Sequence, residues 1–137
     1  MNLHAASALL PERPRTARGF TLIELLVVLS IVALLLTLAV PRYFQSIDNA
    51  KETVLVDNLR QTREILDKFF ADTGRYPDAL DELVDKQYLK ALPYDPVTGS
   101  ATTWVIELPK EGIKGKVYNL HSGASGANRY GQPFGEL

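Results

Sequence analysis

The residues with the clearest chemical potential lie at the start of an apolar stretch. The chain reads RGFTLIE from Arg18 to Glu24, and residues 25–40 are then almost entirely apolar. A charged side chain at membrane depth is unfavourable, and it generally marks a functional position that has a partner. We therefore expect Glu24 to have a positively charged partner.

Side chains suited to catalysis are otherwise sparse. The chain has no cysteine, and its two histidines, His4 and His121, are far apart in the sequence. A disulfide framework is therefore excluded, and neither a zinc site nor a Cys–His nucleophile is expected. The sequence also has no phosphate-binding loop. We predict that the protein is not an enzyme, and a membrane-anchored periplasmic enzyme is the alternative from a different class.

The charge of the chain is unevenly distributed. Residues 1–19 contain three arginines and one glutamate, a net of +2, which leaves −3 for residues 20–137 of a chain with net charge −1. The acidic remainder argues against affinity for phosphate backbones, so no nucleic-acid partner is expected. An anchored module that binds DNA or peptide is the third alternative. A basic start followed by an apolar run is typical of a membrane-inserted chain.

The apolar run is long enough to cross a membrane. Phe20 to Val40 is 21 residues with one charge, Glu24. As a helix it would span roughly 30 Å, about the thickness of one hydrocarbon core. The preceding arginines place the N-terminus in the cytoplasm and the C-terminal bulk outside.

A second helical pattern follows the apolar run. Pro41 is expected to bend the helix axis without ending the helix. Apolar residues then recur at spacings of three and four from about Arg42 to Ala71, with charged residues between them. This pattern predicts an amphipathic helix that packs on its own domain and ends at Gly74 and Pro77. We therefore expect one helix of about 50 residues.

The remaining residues favour short elements. Asp78 is predicted to cap a short helix from Ala79 to about Tyr88. The stretches Thr102–Leu108 and Lys114–Leu120 have the composition of two strands, and the chain from Ser122 is predicted to be an ordered or semi-ordered loop. The predicted fold class is α+β, with a long N-terminal helix packed on a small antiparallel β-sheet.

The N-terminal constellation resembles that of a known family. Gly19, Phe20 and Glu24, followed by the apolar segment and Pro41, resemble the type IV pilin and pseudopilin family. The resemblance implies that a membrane prepilin peptidase cuts between Gly19 and Phe20 and then methylates the new amino group of Phe20. A glycine suits this position because its backbone can approach a protease closely.

The resemblance also implies a role for Glu24. Cleavage would make Glu24 the fifth residue and Pro41 the twenty-second residue of the processed chain, the usual positions in the family. Cleavage frees an ammonium group on Phe20, and Glu24 of one subunit can pair with that group on a neighbour. Because a buried charge without its partner is costly, the pair is expected to set the register of assembly.

The family pattern divides the chain into three parts. Residues 1–19 would be a cleaved basic leader, residues 20–41 a transmembrane and filament-core helix, and residues 42–137 a periplasmic globular domain with the type IV pilin-like fold. The implied location is the bacterial inner membrane, crossed once, with the C-terminus in the periplasm and assembly into a periplasmic filament.

Later motifs resemble the major pseudopilin of type II secretion systems, the G subunit. They are ADTGRYP at 71–77, LPYDP at 92–96 and VYNLHSGA at 117–124. Taken singly, Tyr76, Pro77 and Asp95 are equally consistent with ordinary turn chemistry. The resemblance implies a pseudopilus subunit that drives export of folded proteins across the outer membrane. The alternative in the same class is a major or minor type IV pilin, used for twitching, adhesion or DNA uptake.

The implied partners are those of a secretion machine. They are further copies of the chain, minor pseudopilins, the prepilin peptidase, an inner-membrane assembly platform, an outer-membrane secretin and the secreted proteins. The lack of cysteine favours a pseudopilin, because many adhesive pilins close a C-terminal loop with a disulfide.

One segment departs from the resembling subunit. Its terminal loop commonly carries aspartates that bind calcium, whereas residues 122–131 here contain no Asp or Glu. Calcium takes six to eight oxygen ligands, usually with carboxylates among them, and Ser125 and Asn128 supply no negative charge. We therefore predict no tight calcium site and no other cofactor, with residual calcium binding through backbone oxygens left open. Packing of Arg129 or Tyr130 is expected to hold the loop instead.

Overall fold

The computed structural model describes residues 11, 12, 14 and 18–137. Most of the predicted leader, including His4 and two of its arginines, Arg13 and Arg15, lies outside the described residues. The chain divides between Ala39 and Val40 into two compact units. The division into leader, membrane segment and periplasmic domain stays a prediction.

The long helix forms as predicted. Helix α1 runs over Leu22–Thr73, 52 residues, with Pro41 inside it. It contains an 18-residue window that is long and apolar enough to cross a membrane, and none of that window is buried. The two polar side chains between Leu25 and Val40 donate their hydrogen bonds to carbonyls of the same helix. Ser30 Oγ donates to the Leu26 carbonyl at 2.7 Å, and Thr37 Oγ1 donates to the Ala33 carbonyl at 2.8 Å.

The predicted end of α1 is also confirmed. Gly74 follows the helix with a φ of +73°, a left-handed conformation that glycine adopts at little cost. Its amide donates to the Phe70 carbonyl at 2.8 Å and closes the last turn. A local signal therefore ends the helix.

The second half of α1 forms one side of a hydrophobic core. Leu55, Leu59, Leu66 and Phe69 are buried, and they recur at helical spacing. The facing core residues come from helices, a strand and connecting segments spread along the rest of the chain: Leu83, Trp104, Val117, Leu120 and Phe134. This arrangement confirms the predicted α+β class, in which a long helix packs on a small antiparallel sheet.

The two strands are much shorter than predicted. β1 is Val105–Glu107 and β2 is Asn119–His121, paired antiparallel with Ile106 opposite Leu120. The segment expected to begin β2 bonds elsewhere. The amides of Lys116 and Val117 donate to the Pro77 carbonyl at 3.0 and 2.9 Å. Backbone groups used there cannot extend the sheet.

Helix α2 is also shorter than predicted, and its predicted cap is wrong. It covers Leu80–Asp85. The residue at its N-cap position is Ala79, whose side chain makes no capping hydrogen bond. The Asp78 carboxylate accepts no hydrogen bond from the amides of α2. The Asp78 amide instead donates to Glu82 Oε2 at 2.8 Å, because the Glu82 carboxylate reaches back over the first turn.

A left-handed residue ends α2. Gln87 has a φ of +64°. The amide of Tyr88 donates to the Leu83 carbonyl at 2.8 Å, and that of Gln87 donates to the Val84 carbonyl at 3.0 Å. These two bonds form a Schellman motif, in which glycine is the usual left-handed residue.

The chain after β2 contains one regular element, where only a loop was predicted. A short 3-10 helix forms over Phe134–Glu136, and Phe134 is buried in the core. The sequence pattern did not predict this element. An isolated bridge between Ala127 and Pro133 closes the loop that precedes it.

Candidate functional site

The predicted cleavage position lies in open chain before α1. Gly19 and Phe20 are outside the helix and exposed, and among the described residues, apart from the two chain neighbours of Gly19, no atom lies within 4 Å of where a Gly19 Cβ would be. A protease therefore has access to the backbone on both sides of the Gly19–Phe20 bond. Cleavage there and methylation of Phe20 stay predictions.

Glu24 takes part in a helix cap that the sequence analysis missed. The Glu24 amide donates to Thr21 Oγ1 at 3.2 Å, and the Thr21 amide donates to Glu24 Oε2 at 3.4 Å. This reciprocal pair is a capping box, and the spacing T-x-x-E is its sequence signal. The negative charge also lies in the first turn, where the helix dipole favours it. Glu24 therefore has a role within its own chain before any neighbour is present.

The cap leaves Glu24 able to bind a cation. The Thr21 amide donates to Oε2, and no donor within residues 18–137 bonds to Oε1, which can therefore accept from a second group. Both residues of the cap follow Gly19, so a cut after Gly19 would leave the cap intact. The structure therefore combines a fixed backbone position for Glu24 with a carboxylate that remains exposed.

Pro41 lies inside α1, as predicted. Its ring nitrogen has no proton, so the helix lacks the bond that position 41 would otherwise make to the carbonyl of Thr37. The bend assigned to Pro41 stays a prediction.

The motif at 71–77 serves the fold. Tyr76 is buried and stacks on Phe70 with ring centroids 4.6 Å apart, while its edge meets Tyr118 at 5.3 Å. Burial raises the pKa of the Tyr76 phenol. Gly115 passes so close that a Cβ there would overlap the Tyr76 carbonyl.

Arg75, in the same motif, joins the end of α1 to α2. Its guanidinium forms a two-pronged ion pair with Glu82 and lies 5.3 Å from the centroid of the Phe69 ring. The hydrogen bond from Arg75 holds the pKa of the Glu82 carboxyl below its ordinary value, and the Asp78 amide and the charge of Arg75 add to the shift.

Asp95 is a buried carboxylate that organises the turn at 92–100. Its Oδ1 accepts from the amides of Val97 at 2.9 Å and Thr98 at 3.2 Å, which is turn chemistry. Its Oδ2 accepts from Ser122 Oγ at 2.5 Å, although Ser122 lies 27 residues further along. Asp95 therefore also fastens the start of the C-terminal loop, and no spacing in the sequence indicates this contact.

The C-terminal loop is held to α1 by Arg129. Its Nε donates to Glu52 Oε2 at 2.8 Å, its Nη2 donates to the Asn49 carbonyl at 2.7 Å, and its amide donates to Glu52 Oε1 at 3.0 Å. Tyr130 is exposed, and its ring lies 5.7 Å from the Arg129 guanidinium. Of the two residues predicted to hold the loop, Arg129 is the one that does.

A cluster of polar side chains, Glu107, Asn119 and His121, joins the two strands. His121 Nε2 and Glu107 Oε2 are 3.2 Å apart, and Asn119 Nδ2 donates to the same oxygen at 3.1 Å. The bond from His121, followed by that from Asn119, lowers the pKa of the Glu107 carboxyl. These groups tie the exposed edge of the sheet together.

Within residues 11, 12, 14 and 18–137, no group of three or more His, Cys, Asp or Glu side chains is arranged to hold a metal ion. The described residues present an exposed Gly19–Phe20 bond, a capped glutamate and an exposed apolar helix. This arrangement suits processing and assembly.

Comparison with known proteins agrees with this arrangement. Residues 14–40 match the prokaryotic N-terminal methylation motif. The chain is 29% identical over 130 residues to the type II secretion system core protein G of Klebsiella michiganensis, covering 83% of this chain and 88% of that protein. It is 36% identical over 98 residues to the core protein G of Pseudomonas aeruginosa, covering 60% and 69%.

Type IV pilins are also similar to the chain. The type IV major pilin protein PilA of Myxococcus xanthus is 33% identical over 66 residues, which cover 48% of this chain and 30% of that protein. No solved structure matches the chain significantly.

Proposed function

This chain belongs to the type IV pilin and pseudopilin family, and from that membership we propose that it is a structural subunit of the periplasmic pseudopilus of a type II secretion system. The observation that carries the proposal is the similarity to core protein G, which extends through the globular domain as well as the N-terminal segment. The proposed activity is mechanical. Growth of the filament would push folded proteins through the outer membrane, and no catalytic group of this chain is required.

The proposed assembly begins with cleavage after Gly19. The cut would remove a basic leader and expose an ammonium group on Phe20, which the peptidase then methylates. Thr21 and Glu24 would keep the start of α1 capped through this step. The free Oε1 of Glu24 would then accept from the Phe20 amine of a neighbouring subunit, and a subunit docked in another register would leave both charges unpaired.

The apolar half of α1 would serve twice. Its side chains from Leu22 to Val40 are exposed, so they need cover from lipid or from other apolar helices. Before assembly the cover would be the inner membrane, crossed once with the globular domain in the periplasm. After assembly it would be the same segments of neighbouring subunits. The proposed partners are therefore other copies, minor pseudopilins, the prepilin peptidase, the assembly platform, the secretin and the secreted proteins.

We also propose that the globular domain needs no calcium ion. The Arg129 guanidinium supplies a positive charge that fastens the C-terminal loop to Glu52 and the Asn49 carbonyl. Thermal melting in calcium and in chelator tests this proposal. The two melting temperatures should agree, and a large calcium-dependent rise would overturn it.

Two substitutions separate the two roles proposed for Glu24, which are to cap the start of α1 and to pair through its charge with a neighbouring subunit. Glu24→Gln retains a side chain that can complete the capping box but removes the charge. Thr21→Val removes the cap and retains the charge. We expect both variants to enter the membrane and be cleaved. Glu24→Gln should lose filament assembly and secretion, and Thr21→Val should retain most of both.

Two results would count against this reading. Normal assembly of Glu24→Gln would refute pairing through charge, and normal processing of Gly19→Leu would refute the cleavage position.

The pilin relatives favour the alternative function, a type IV pilus subunit. Deletion of the protein separates the two: loss of protein export supports a pseudopilin, whereas loss of twitching or DNA uptake with normal export supports a pilin.

A further inference from the structure

A short part of α1 has neither a membrane composition nor cover from the globular domain. The apolar segment ends at Val40, and every side chain from Pro41 to Ser46 is exposed. Ile47 is the next residue to be partly buried, and Leu55 is the first that is fully buried. We call residues 41–46 the collar.

The collar contains exposed aromatic rings beside a positive charge. The Tyr43 and Phe44 side chains are 65% and 60% exposed, and their ring centroids lie 5.9 Å apart in an edge-to-face contact. Arg42 precedes them and is also exposed. These two adjacent rings continue the uncovered surface of the apolar segment, so a partner that covers that segment can also cover the rings.

The length and composition of the collar match the polar zone of a bilayer. Six helical residues extend about 9 Å. The headgroup zone of one leaflet is roughly 5–8 Å thick, half the difference between a bilayer of 40–45 Å and its 30 Å hydrocarbon core. Tyrosine is enriched at this level, where an amphipathic ring meets both apolar and polar surroundings. An arginine beside it can direct its guanidinium toward lipid phosphates.

We propose that the collar binds the phospholipid headgroup layer at the outer face of the inner membrane. The rings of Tyr43 and Phe44 lie among the upper acyl chains and glycerol groups, and Arg42 contacts lipid phosphates. The collar thereby sets the depth at which the unassembled subunit rests in the bilayer. This inference depends on the membrane anchoring proposed above and adds a lipid-contacting surface to it.

The absence of cysteine allows a clean test. The full chain is placed in nanodiscs of phosphatidylcholine and phosphatidylglycerol, with a fluorophore on one introduced cysteine. Gln45→Cys reports on the collar, and Val32→Cys reports on the apolar segment. Quenching by lipids that carry a nitroxide on the headgroup or in mid-chain measures the depth of each label. The test variant replaces Tyr43 and Phe44 with serine, and Tyr130→Ser is a matched control for loss of an exposed ring elsewhere.

The expected result is a label at position 45 at headgroup depth. In the Tyr43→Ser, Phe44→Ser double variant it should shift by up to about 5 Å, one helical turn. Tyr130→Ser should leave the depth unchanged.

Two outcomes would overturn the proposal, and the second label distinguishes them. If position 32 lies in the hydrocarbon core while position 45 is in water, or is unmoved in the double variant, anchoring stands and the collar proposal fails. If position 32 is not in the core, the anchoring proposal fails and the collar proposal fails with it.

Discussion

The ion pair between Glu52 and Arg129 gives the most direct test of how the C-terminal loop is held. Arg129→Gln would remove the guanidinium bonds to Glu52 and to the Asn49 carbonyl. It would keep the bond from the backbone amide of residue 129 to Glu52, because that bond needs no side chain. The substitution therefore removes the cation and leaves the Glu52 carboxylate with one donor.

The burial of the pair sets the expected size of the effect. The Glu52 side chain is 14% exposed and that of Arg129 is 36% exposed. Exposed pairs contribute about 0–1 kcal/mol, whereas breaking a buried pair costs about 3–5 kcal/mol. For this intermediate case we expect Arg129→Gln to lower the free energy of unfolding by about 1–2 kcal/mol. That corresponds to a fall in melting temperature of about 5–10 °C for a domain of this size.

The single tryptophan provides the assay in the full chain. Trp104 is almost fully buried, and its Nε1 donates to the Pro93 carbonyl at 2.8 Å, so its fluorescence reports unfolding of the globular domain in detergent micelles. A double-mutant cycle of Arg129→Gln and Glu52→Gln should give a coupling free energy of about 1 kcal/mol between the two side chains. Each single variant leaves the remaining charged group without its partner.

A pair on the same helix serves as the control. Arg60 and Asp57 also form an ion pair, but their side chains are 69% and 44% exposed. Arg60→Gln should therefore cost less than about 0.5 kcal/mol. If Arg129→Gln costs no more than Arg60→Gln, or if the coupling between Glu52 and Arg129 vanishes, the loop is held by something other than this pair.

Three further predictions concern the globular domain. Gln87→Gly should raise the free energy of unfolding of the globular domain by about 0.5–1 kcal/mol, because glycine adopts the left-handed φ without strain. Lys86→Gly, at an ordinary φ, should lower that free energy. Chemical denaturation measures both. Since the pKa of Glu82 is lowered when folded, its stabilising contribution is present above about pH 4.5, its ordinary pKa, and is lost as pH falls through the lowered value. Glu82→Gln should flatten this acid-side loss in a pH series of melts, and an unchanged slope would contradict the assignment. Residues 42–137 should fold in solution without residues 1–41, as judged by Trp104 emission and amide dispersion in NMR spectra, and an unfolded product would show that the domain depends on the anchor.

The features that the sequence determines by itself are those set by near neighbours. The span and end of α1 follow from apolar spacing and from Gly74, since a helix bonds each residue to one four positions away. The Thr21–Glu24 cap is local as well, and its T-x-x-E spacing carries the signal. The cap predicted for Asp78 is wrong because α2 begins one residue later than expected, so Ala79 occupies the N-cap position.

The features that only the tertiary structure decides join residues far apart in the chain. The sheet is shorter than its strand-forming sequence suggests, because the backbone at 116–117 bonds to Pro77. Asp95 reaches Ser122 across 27 residues, and Glu52 reaches Arg129 across 77. Periodicity indicates which face of α1 is buried, but it does not specify which distant backbone group or carboxylate a side chain will meet. The apolar half of α1, the capped Glu24 and the exposed bond after Gly19 thus follow from local chemistry, whereas the contacts that hold the globular domain together depend on how the chain returns to its long helix.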